Sequence, residues 1–288
     1  MEKLERSVLK AMMRGKYDVQ KTRIQTGLRL VNNFKARLGQ DPGEKEEELD
    51  KKSQMILRNI RARYKKITDG IARYPTPTSF KGDRLISSFT EFSLIQLYIN
   101  LEGSEKEIDA RIKPWVDRHP LWKGFLKDIK GVGPTMAGVI ISEFDIHKAK
   151  YASSLWAYAG LDVAKDGKGR SKRKEHLVDK EYIDKKGKTK TKKSITYNPF
   201  LKSKLMGVLS KSFIQSKSPY KDIYDNIKHR LEHHADYKDV SKGHRDMMAR
   251  RYMVKIFLID LYVAWKEVEG LEAYPPYHVA KLGMTHKG

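Results

Sequence analysis

The chain has 288 residues, with 59 Lys or Arg against 36 Asp or Glu, which gives a formal net charge of +23. It contains no cysteine, which excludes a disulfide framework, a thiolate zinc site and a cysteine nucleophile. No stretch approaches the roughly 20 apolar residues of a membrane-spanning helix, and the first ten residues lack the apolar core of a secretory signal. We therefore expect a cytoplasmic protein that contacts no membrane, and the excess of positive charge makes nucleic acid the expected partner.

Two helical patterns occupy the first 74 residues. Asp41-Pro42-Gly43 ends the first pattern, in which apolar residues recur at three- and four-residue steps: Leu28, Val31, Phe34 and Leu38. A charged helix follows from Glu44, and its apolar positions form a narrow stripe: Leu49, Ile56, Ile60, Tyr64, Ile67 and Ile71. Such a stripe is typical of an antiparallel hairpin or a coiled coil, so we expect residues 1–74 to form an arm that makes the protein a homodimer.

The pattern remains helical over most of residues 75–288, and the expected fold class is all-α. Ser104 with Glu107 has the spacing of a capping box, which predicts that a new helix begins there. The last long helix is expected from about His244 to Glu269, before Gly270.

Residues 162–196 interrupt this pattern with a basic insert. Between Lys165 and Lys193 there are thirteen Lys or Arg against five Asp or Glu. Two short runs on either side of Lys186-Gly187 could pair as a β-hairpin. The alternative is a disordered segment, because the insert has few apolar residues.

The most informative motif is Ile129-Lys130-Gly131-Val132-Gly133-Pro134-Thr135, which lies between two predicted helices. Gly-x-Gly permits a tight turn with close backbone approach, and the N–H groups of the next helix can then face a phosphate. This is the helix-hairpin-helix pattern of nucleic-acid-binding proteins. A turn that only packs two helices is the alternative. A dinucleotide loop would need a preceding strand, and the preceding residues indicate a helix.

The motif and the segment from Tyr151 to Leu161 together resemble the C-terminal domain of one group of insertion-sequence transposases. Those enzymes use a bridge RNA. The same module is similar to the Nop domain of box C/D guide-RNA proteins, which follows a coiled-coil arm, and to the Tas proteins of tandem-interspaced-guide-RNA systems. The resemblance covers roughly residues 120–215. It implies a Nop-like helical domain over 75–288 that binds a structured guide RNA and, through the guide, a target DNA.

The chain departs from the transposases in its N-terminal half. Their RuvC-like domain carries acidic residues on strands, whereas residues 1–74 show helical patterns and no such strand. The transposases also use a serine soon after their Gly-Leu, and Ser171 falls in that region. Ser171 would need a base nearby to act as a nucleophile, and its basic neighbours favour a phosphate contact instead.

We therefore predict a guide-RNA-binding protein for RNA-guided DNA recognition, with no nuclease domain of its own and with no cofactor or metal. One alternative is an RNA-guided transposase or recombinase that uses Ser171. Another is a non-specific helix-hairpin-helix binder of duplex DNA. The residues expected to contact nucleic acid are Lys130, Gly131, Val132, Gly133, Thr135, Lys165, Lys168, Arg170, Ser171, Lys172, Arg173, Lys174, Lys186, Lys188, Lys190, Lys192, Arg250 and Arg251.

Overall fold

A computed structural model describes residues 3–41, 43–68, 75–82 and 86–275. Over these residues the chain is mostly helical, with one two-stranded sheet, which confirms the predicted all-α class. The helices are α1 (Lys3–Arg37), α2 (Lys51–Thr68), α3 (Phe89–Arg118), α4 (Pro120–Gly124), α5 (Pro134–Glu143), α6 (Ala152–Ala159), α7 (Pro199–Lys204), α8 (Ser210–Gln215), α9 (Tyr220–His233) and α10 (Lys242–Val268), and the strands are β1 (Val178–Ile183) and β2 (Thr189–Ser194). No described helix is long and apolar enough to cross a membrane.

The chain divides into two compact units. One unit is Ala11–Arg111. The other combines the start of the chain, up to Lys10, with the chain from Ile112 onward. The predicted boundary at residue 74 lies outside the described residues and stays a prediction, as does dimerisation through the arm.

Helices α1, α2 and α3 share the core of the Ala11–Arg111 unit. Each helix turns an apolar stripe toward the other two and leaves its polar side to solvent. The buried residues of this core are Leu30, Phe34, Leu57, Ile86, Phe92 and Ile95. The predicted hairpin of α1 and α2 is thus completed by α3, which supplies Phe92 and Ile95.

The buried side of α2 differs from the predicted stripe by one position. Leu57, which the stripe did not include, is 1% exposed, whereas Ile56 is only partly buried against the same core. The side chains of Ile60 and Ile67 lie outside the described residues. Because Ile56 packs within the chain, it contributes to this core whether or not the arm dimerises.

Helix α3 is continuous over Phe89–Arg118, so the predicted helix start at Ser104 is wrong. The Ser104 hydroxyl donates to the Asn100 carbonyl at 3.0 Å, which is the bond that a serine inside a helix makes to the preceding turn. The Glu107 carboxylate accepts a hydrogen bond from Arg111 at 2.6 Å on the helix surface. Both side chains of the supposed capping box are therefore engaged within one uninterrupted helix.

Helix α10 is the central element of the other unit. It packs against α9, α6 and α4, and it is the last long helix that the sequence predicted. Its buried apolar residues are Ala249, Met253, Val254, Phe257, Leu258, Leu261, Tyr262 and Trp265. Helix α5 is also a core helix, with eight of its ten residues buried, and it packs against α7.

The basic insert contains a β-hairpin, as one of the two alternatives predicted. Strands β1 and β2 are antiparallel, with Tyr182 opposite Lys190. The turn is closed by the Gly187 N–H, which donates to the Asp184 carbonyl at 3.0 Å, and by the Asp184 N–H, which donates to the Lys188 carbonyl at 2.9 Å. The disordered alternative is therefore wrong for these residues.

Candidate nucleic-acid interface

The glycine turn Lys130–Thr135 joins a 3-10 turn, Leu126–Asp128, to the start of α5. Gly131 has a φ of +95°, a left-handed conformation that residues with a Cβ rarely adopt. Its carbonyl accepts a hydrogen bond from the Ser212 hydroxyl of α8 at 2.7 Å. A Cβ built on Gly131 would lie 2.8 Å from Ser216 Oγ. This glycine is therefore needed for the packing of the turn against α8.

Gly133 is the more accessible glycine of the turn. It is exposed and is the N-cap residue of α5, with Pro134 at the first helical position. A Cβ built there would meet no described atom within 4 Å. Lys130 is exposed, whereas Val132 is buried and anchors the turn. An anion could thus approach the start of α5 at Gly133, and the phosphate role of the turn stays a prediction.

The first part of the basic insert is a tight loop that lies against α10. Val163 and Gly169 form a β-bridge, and the Ala164 N–H donates to the Lys168 carbonyl at 2.8 Å. A Cβ built on Gly169 would overlap the guanidinium of Arg251 in α10. The lack of a side chain at Gly169 therefore lets the loop lie directly on this guanidinium.

An ion pair between Asp162 and Arg170 closes the base of this loop. Arg170 Nε lies 2.9 Å and 2.7 Å from the two carboxylate oxygens of Asp162, and Arg170 Nη2 lies 2.7 Å from Oδ2. The Lys202 ammonium donates to the Arg170 carbonyl at 2.5 Å, which attaches the loop to α7. The loop, α7 and α10 thereby form the walls of a groove, which we call the basic groove.

The basic groove has a cavity volume of about 700 Å³. None of the described residues that line it is Asp or Glu. Its lining includes six Lys or Arg side chains. Four of them are among the residues predicted to contact nucleic acid, namely Lys168, Arg170, Arg173 and Arg251, and the other two are Lys202 and Lys255. Ser171, also predicted, lies on the same wall.

The positive charges in the groove oppose one another. Burial, followed by the Arg251 charge, lowers the pKa of Lys202 to about 8. The same two causes lower the pKa of Lys255, and burial lowers the pKa of Arg251. Asp162 favours the charged form of all three groups, but Arg170 already pairs with its carboxylate. The groove therefore holds more positive charge than the neighbouring Asp162 carboxylate offsets.

Aromatic rings hold two of these ammonium groups. The Lys255 nitrogen lies 4.2 Å from the centre of the Trp156 ring, and the Lys202 nitrogen lies 4.6 Å from the centre of the Tyr197 ring. The Trp156 indole N–H also donates to the Lys255 carbonyl at 3.1 Å. A ring face attracts a cation without supplying a compensating negative charge, so these contacts leave the protonated ammonium groups able to attract an anion.

His176 is buried beside the groove, with both ring nitrogens in hydrogen bonds. Its Nδ1 accepts from the Ser171 backbone N–H at 2.9 Å and lies 3.0 Å from Ser171 Oγ, while Nε2 lies 3.0 Å from Asp166 Oδ2. Because a backbone N–H can only donate, Nδ1 carries no proton and the Nε2 proton points to Asp166. This hydrogen bond from His176 lowers the pKa of Asp166. Arg173 Nε donates to Ser171 Oγ at 3.1 Å, and the Ser171 hydroxyl can reach Nδ1 only by sharing the lone pair that already accepts the Ser171 backbone N–H.

The remaining predicted residues lie outside the lining of the groove. Arg250 is one residue from Arg251, but its Nε lies 2.8 Å from Asp246 Oδ2 on another side of α10. Thr135, the second residue of α5, is half-buried. The others are exposed residues of the insert or its hairpin: Lys165, Lys172, Lys174, Lys186, Lys188, Lys190 and Lys192.

Sequence reasoning did not identify Lys202 or His176 as residues of the site. A local pattern does mark the start of α7, because Asn198 precedes Pro199 and its side chain accepts a hydrogen bond from the Leu201 N–H at 3.2 Å. No local pattern, however, indicates that a lysine on this helix would contact a carbonyl 32 residues earlier in the chain. The contact between His176 and Ser171 likewise depends on an irregular loop, which has no periodicity to follow.

Replacing Gly131 with Ala is expected to lower the free energy of unfolding by about 1–3 kcal/mol, because it forces a Cβ into a left-handed, packed position. Gly133→Ala is the matched control and should leave stability nearly unchanged. Thermal unfolding followed by circular dichroism measures both. Equal stability of the two variants would contradict the packing of Gly131 against α8.

The model of the transposase IS116/IS110/IS902 family matches residues 124–182. This segment begins at the end of α4, contains the glycine turn, α5, α6 and the loop of the basic groove, and ends within β1. No curated protein and no solved structure matches the chain. The match includes the motif residues on which the resemblance to insertion-sequence transposases rests. Residues 124–182 are therefore similar to part of the transposases of this family.

Proposed function

We propose that this protein binds a structured guide RNA along the basic groove and recognises DNA through that RNA. The observation that carries the proposal is the lining of the groove, where Lys or Arg side chains from the loop, α7 and α10 converge without an Asp or Glu among the described lining residues. A groove of this kind favours a polyanion, because phosphates offset the mutual repulsion of the cations and release counterions when they bind.

Burial distinguishes this groove from an ordinary basic surface. Exposed lysines repel weakly because water screens them. Lys202, Arg251 and Lys255 are instead partly withdrawn from water, and the Arg251 charge lowers the pKa of both lysines. Tyr252 also lines the groove, and an aromatic side chain there can stack on an unpaired base. The groove thus offers phosphate contacts and a stacking surface together.

The choice of RNA rests on the resemblance and on the family match. The transposases that the chain resembles use a bridge RNA, and the matched residues include the loop that forms one wall of the groove. In guided systems base pairing reads the target sequence, and the protein holds the backbone. A basic groove that contacts phosphates can hold the RNA backbone while the bases remain free to pair with the target.

The first test is recovery of RNA with the purified protein, followed by sequencing and affinity measurements at about 0.15 M salt. Arg251→Gln is expected to weaken binding of the recovered RNA about tenfold or more, since it removes a charge-assisted hydrogen bond. Lys106→Gln is the matched control, because it removes the same charge from an exposed side chain of α3 and should change affinity less than twofold.

Recovery of no RNA, with equal affinity for any DNA duplex, would contradict the proposal and favour the non-specific duplex binder. If both variants lost affinity equally, nucleic acid would be held by overall charge and not by the groove.

The pH dependence of binding gives a second test. Lys202 has a pKa of about 8 in the free protein, and a bound phosphate favours its charged form. RNA affinity should therefore be highest below pH 8 and should fall as the pH rises through 8 to 9, at constant salt. In Lys202→Arg the cation stays charged, so that fall should be much smaller. A wild-type affinity that does not change between pH 7 and 9 would remove Lys202 from the interface.

A second candidate function is strand transfer by Ser171, and the Ser171–His176–Asp166 arrangement favours it. Ser171 Oγ would form a bond to a strand phosphorus while a P–O bond of the strand breaks. The hydroxyl proton would pass to His176 Nδ1, which would give up its hydrogen bond from the Ser171 backbone N–H, and then to the leaving oxygen, with Asp166 orienting the ring. The neighbouring cations would offset the charge that develops on the phosphate oxygens.

Strand transfer predicts a covalent complex between the protein and a labelled strand that survives denaturing electrophoresis. Ser171→Ala should abolish the complex, whereas Ser153→Ala, on the exposed side of α6, should not. If wild-type protein forms no complex with DNA in the presence of its recovered RNA, the serine serves only to shape the loop.

A further inference from the structure

The β-hairpin of the insert is exposed on both faces. All six residues of β1 and five of the six in β2 are exposed. A two-stranded hairpin with no core of its own gains little stability from packing. We therefore explain the amino-acid composition of the hairpin by a ligand that its faces contact.

Charge is divided unequally between the two faces of this ribbon. Directly paired residues share a face, and successive residues alternate. The register of the two strands therefore places Lys180 opposite Lys192 and Tyr182 opposite Lys190 on the same face. We call this the lysine face. This face has three lysines and no carboxylate. The opposite face comprises Asp179, Glu181, Ile183, Thr189, Thr191 and Lys193.

Ion pairs leave this difference between the two faces in place. On the opposite face, Lys193 lies 2.7 Å from Asp179, so its charge is compensated. On the lysine face, Lys190 reaches Asp184 in the turn at 2.9 Å. Lys180 and Lys192 form no ion pair with any described residue, and the Lys192 ammonium lies 5.0 Å from the centre of the Tyr182 ring. Two like charges directly across a strand pair destabilise a hairpin, so a polyanion against this face would stabilise it.

We propose that this ribbon enters the major groove of double-stranded DNA with its lysine face toward the DNA. The proposal rests on the nucleic-acid-binding function above, but it assigns a separate surface to a separate ligand. The major groove of B-form DNA is about 12 Å wide and admits a two-stranded ribbon. The deep, narrow major groove of an RNA duplex does not admit one.

The dimensions of the ribbon agree with this ligand. Six residues per strand extend about 20 Å, which corresponds to roughly six base pairs at 3.4 Å per pair. Lysines along that length can reach guanine edges and the phosphates that border the groove. The family match ends at residue 182, within β1, so β2 and its lysines lie outside the matched transposase segment.

Two neighbouring lysines of β2 provide a matched test. Lys192→Gln removes a charge from the lysine face, and Lys193→Gln removes the same charge from the opposite face. The probe is a DNA duplex of about 20 base pairs, two helical turns, with an RNA duplex of the same sequence for comparison. Fluorescence anisotropy across a range of salt concentrations gives the affinity and its salt dependence.

Lys192→Gln should weaken DNA-duplex binding at least threefold and flatten the slope of log affinity against log salt by about 0.9. Lys180→Gln combined with Lys192→Gln should flatten it by about twice that amount. Lys193→Gln should change both quantities little, and none of the variants should alter binding of the recovered RNA.

Equal losses for Lys192→Gln and Lys193→Gln, or equal affinity of the wild type for RNA and DNA duplexes, would overturn the ribbon proposal. Wild-type protein that binds its recovered RNA but no DNA duplex would overturn it too, while leaving the proposed function standing. Wild-type protein that binds neither nucleic acid would overturn both.

Discussion

The ion pair between Asp162 and Arg170 is the interaction on which the candidate site depends. It closes a loop that carries several cations. The backbone carbonyl of Arg170 also accepts a hydrogen bond from the Lys202 ammonium of α7. Without the Asp162 carboxylate, the repulsion that Arg170 and Arg251 exert on Lys202 would lose the charge that offsets it. The Asp162 carboxylate therefore permits the loop, α7 and α10 to bring their positive charges into a single groove. Because it offsets only part of that charge, most of it can attract a ligand.

This arrangement makes stability and binding respond to pH in opposite directions. A lysine in an unfolded chain has a pKa of about 10.4, whereas Lys202 in the fold has a pKa of about 8. Between these values the unfolded chain binds more protons, so the free protein gains stability from Lys202 as the pH rises. The same deprotonation removes a positive charge from the groove. A site that attracts phosphate is thus maintained at some cost to the stability of the free protein.

The two parts of the basic insert have different structural roles. The loop of Asp162–His176 is attached to the helical core through Arg170, Arg251 and Lys202, and it belongs to the transposase-related segment. The hairpin of Val178–Ser194 is exposed and has its charge divided between two faces. A single basic run in the sequence therefore becomes a concave groove and a protruding ribbon, which suit different nucleic-acid surfaces.

The sequence by itself determined the all-α class, the glycine turn, the hairpin alternative and the basic character of the insert, because these follow from periodicity, turn residues and local charge. It could not determine that Leu57 rather than Ile56 is the most buried described residue of α2, since a one-position rotation of a helix depends on its packing partners. It also placed a helix start at Ser104, where α3 is continuous and the serine hydroxyl bonds to the preceding turn. Only the tertiary structure brought Lys202 and Lys255 to the groove and His176 to Ser171. Contacts between distant segments, and contacts within irregular loops, produce no periodic pattern of residues from which the sequence could predict them.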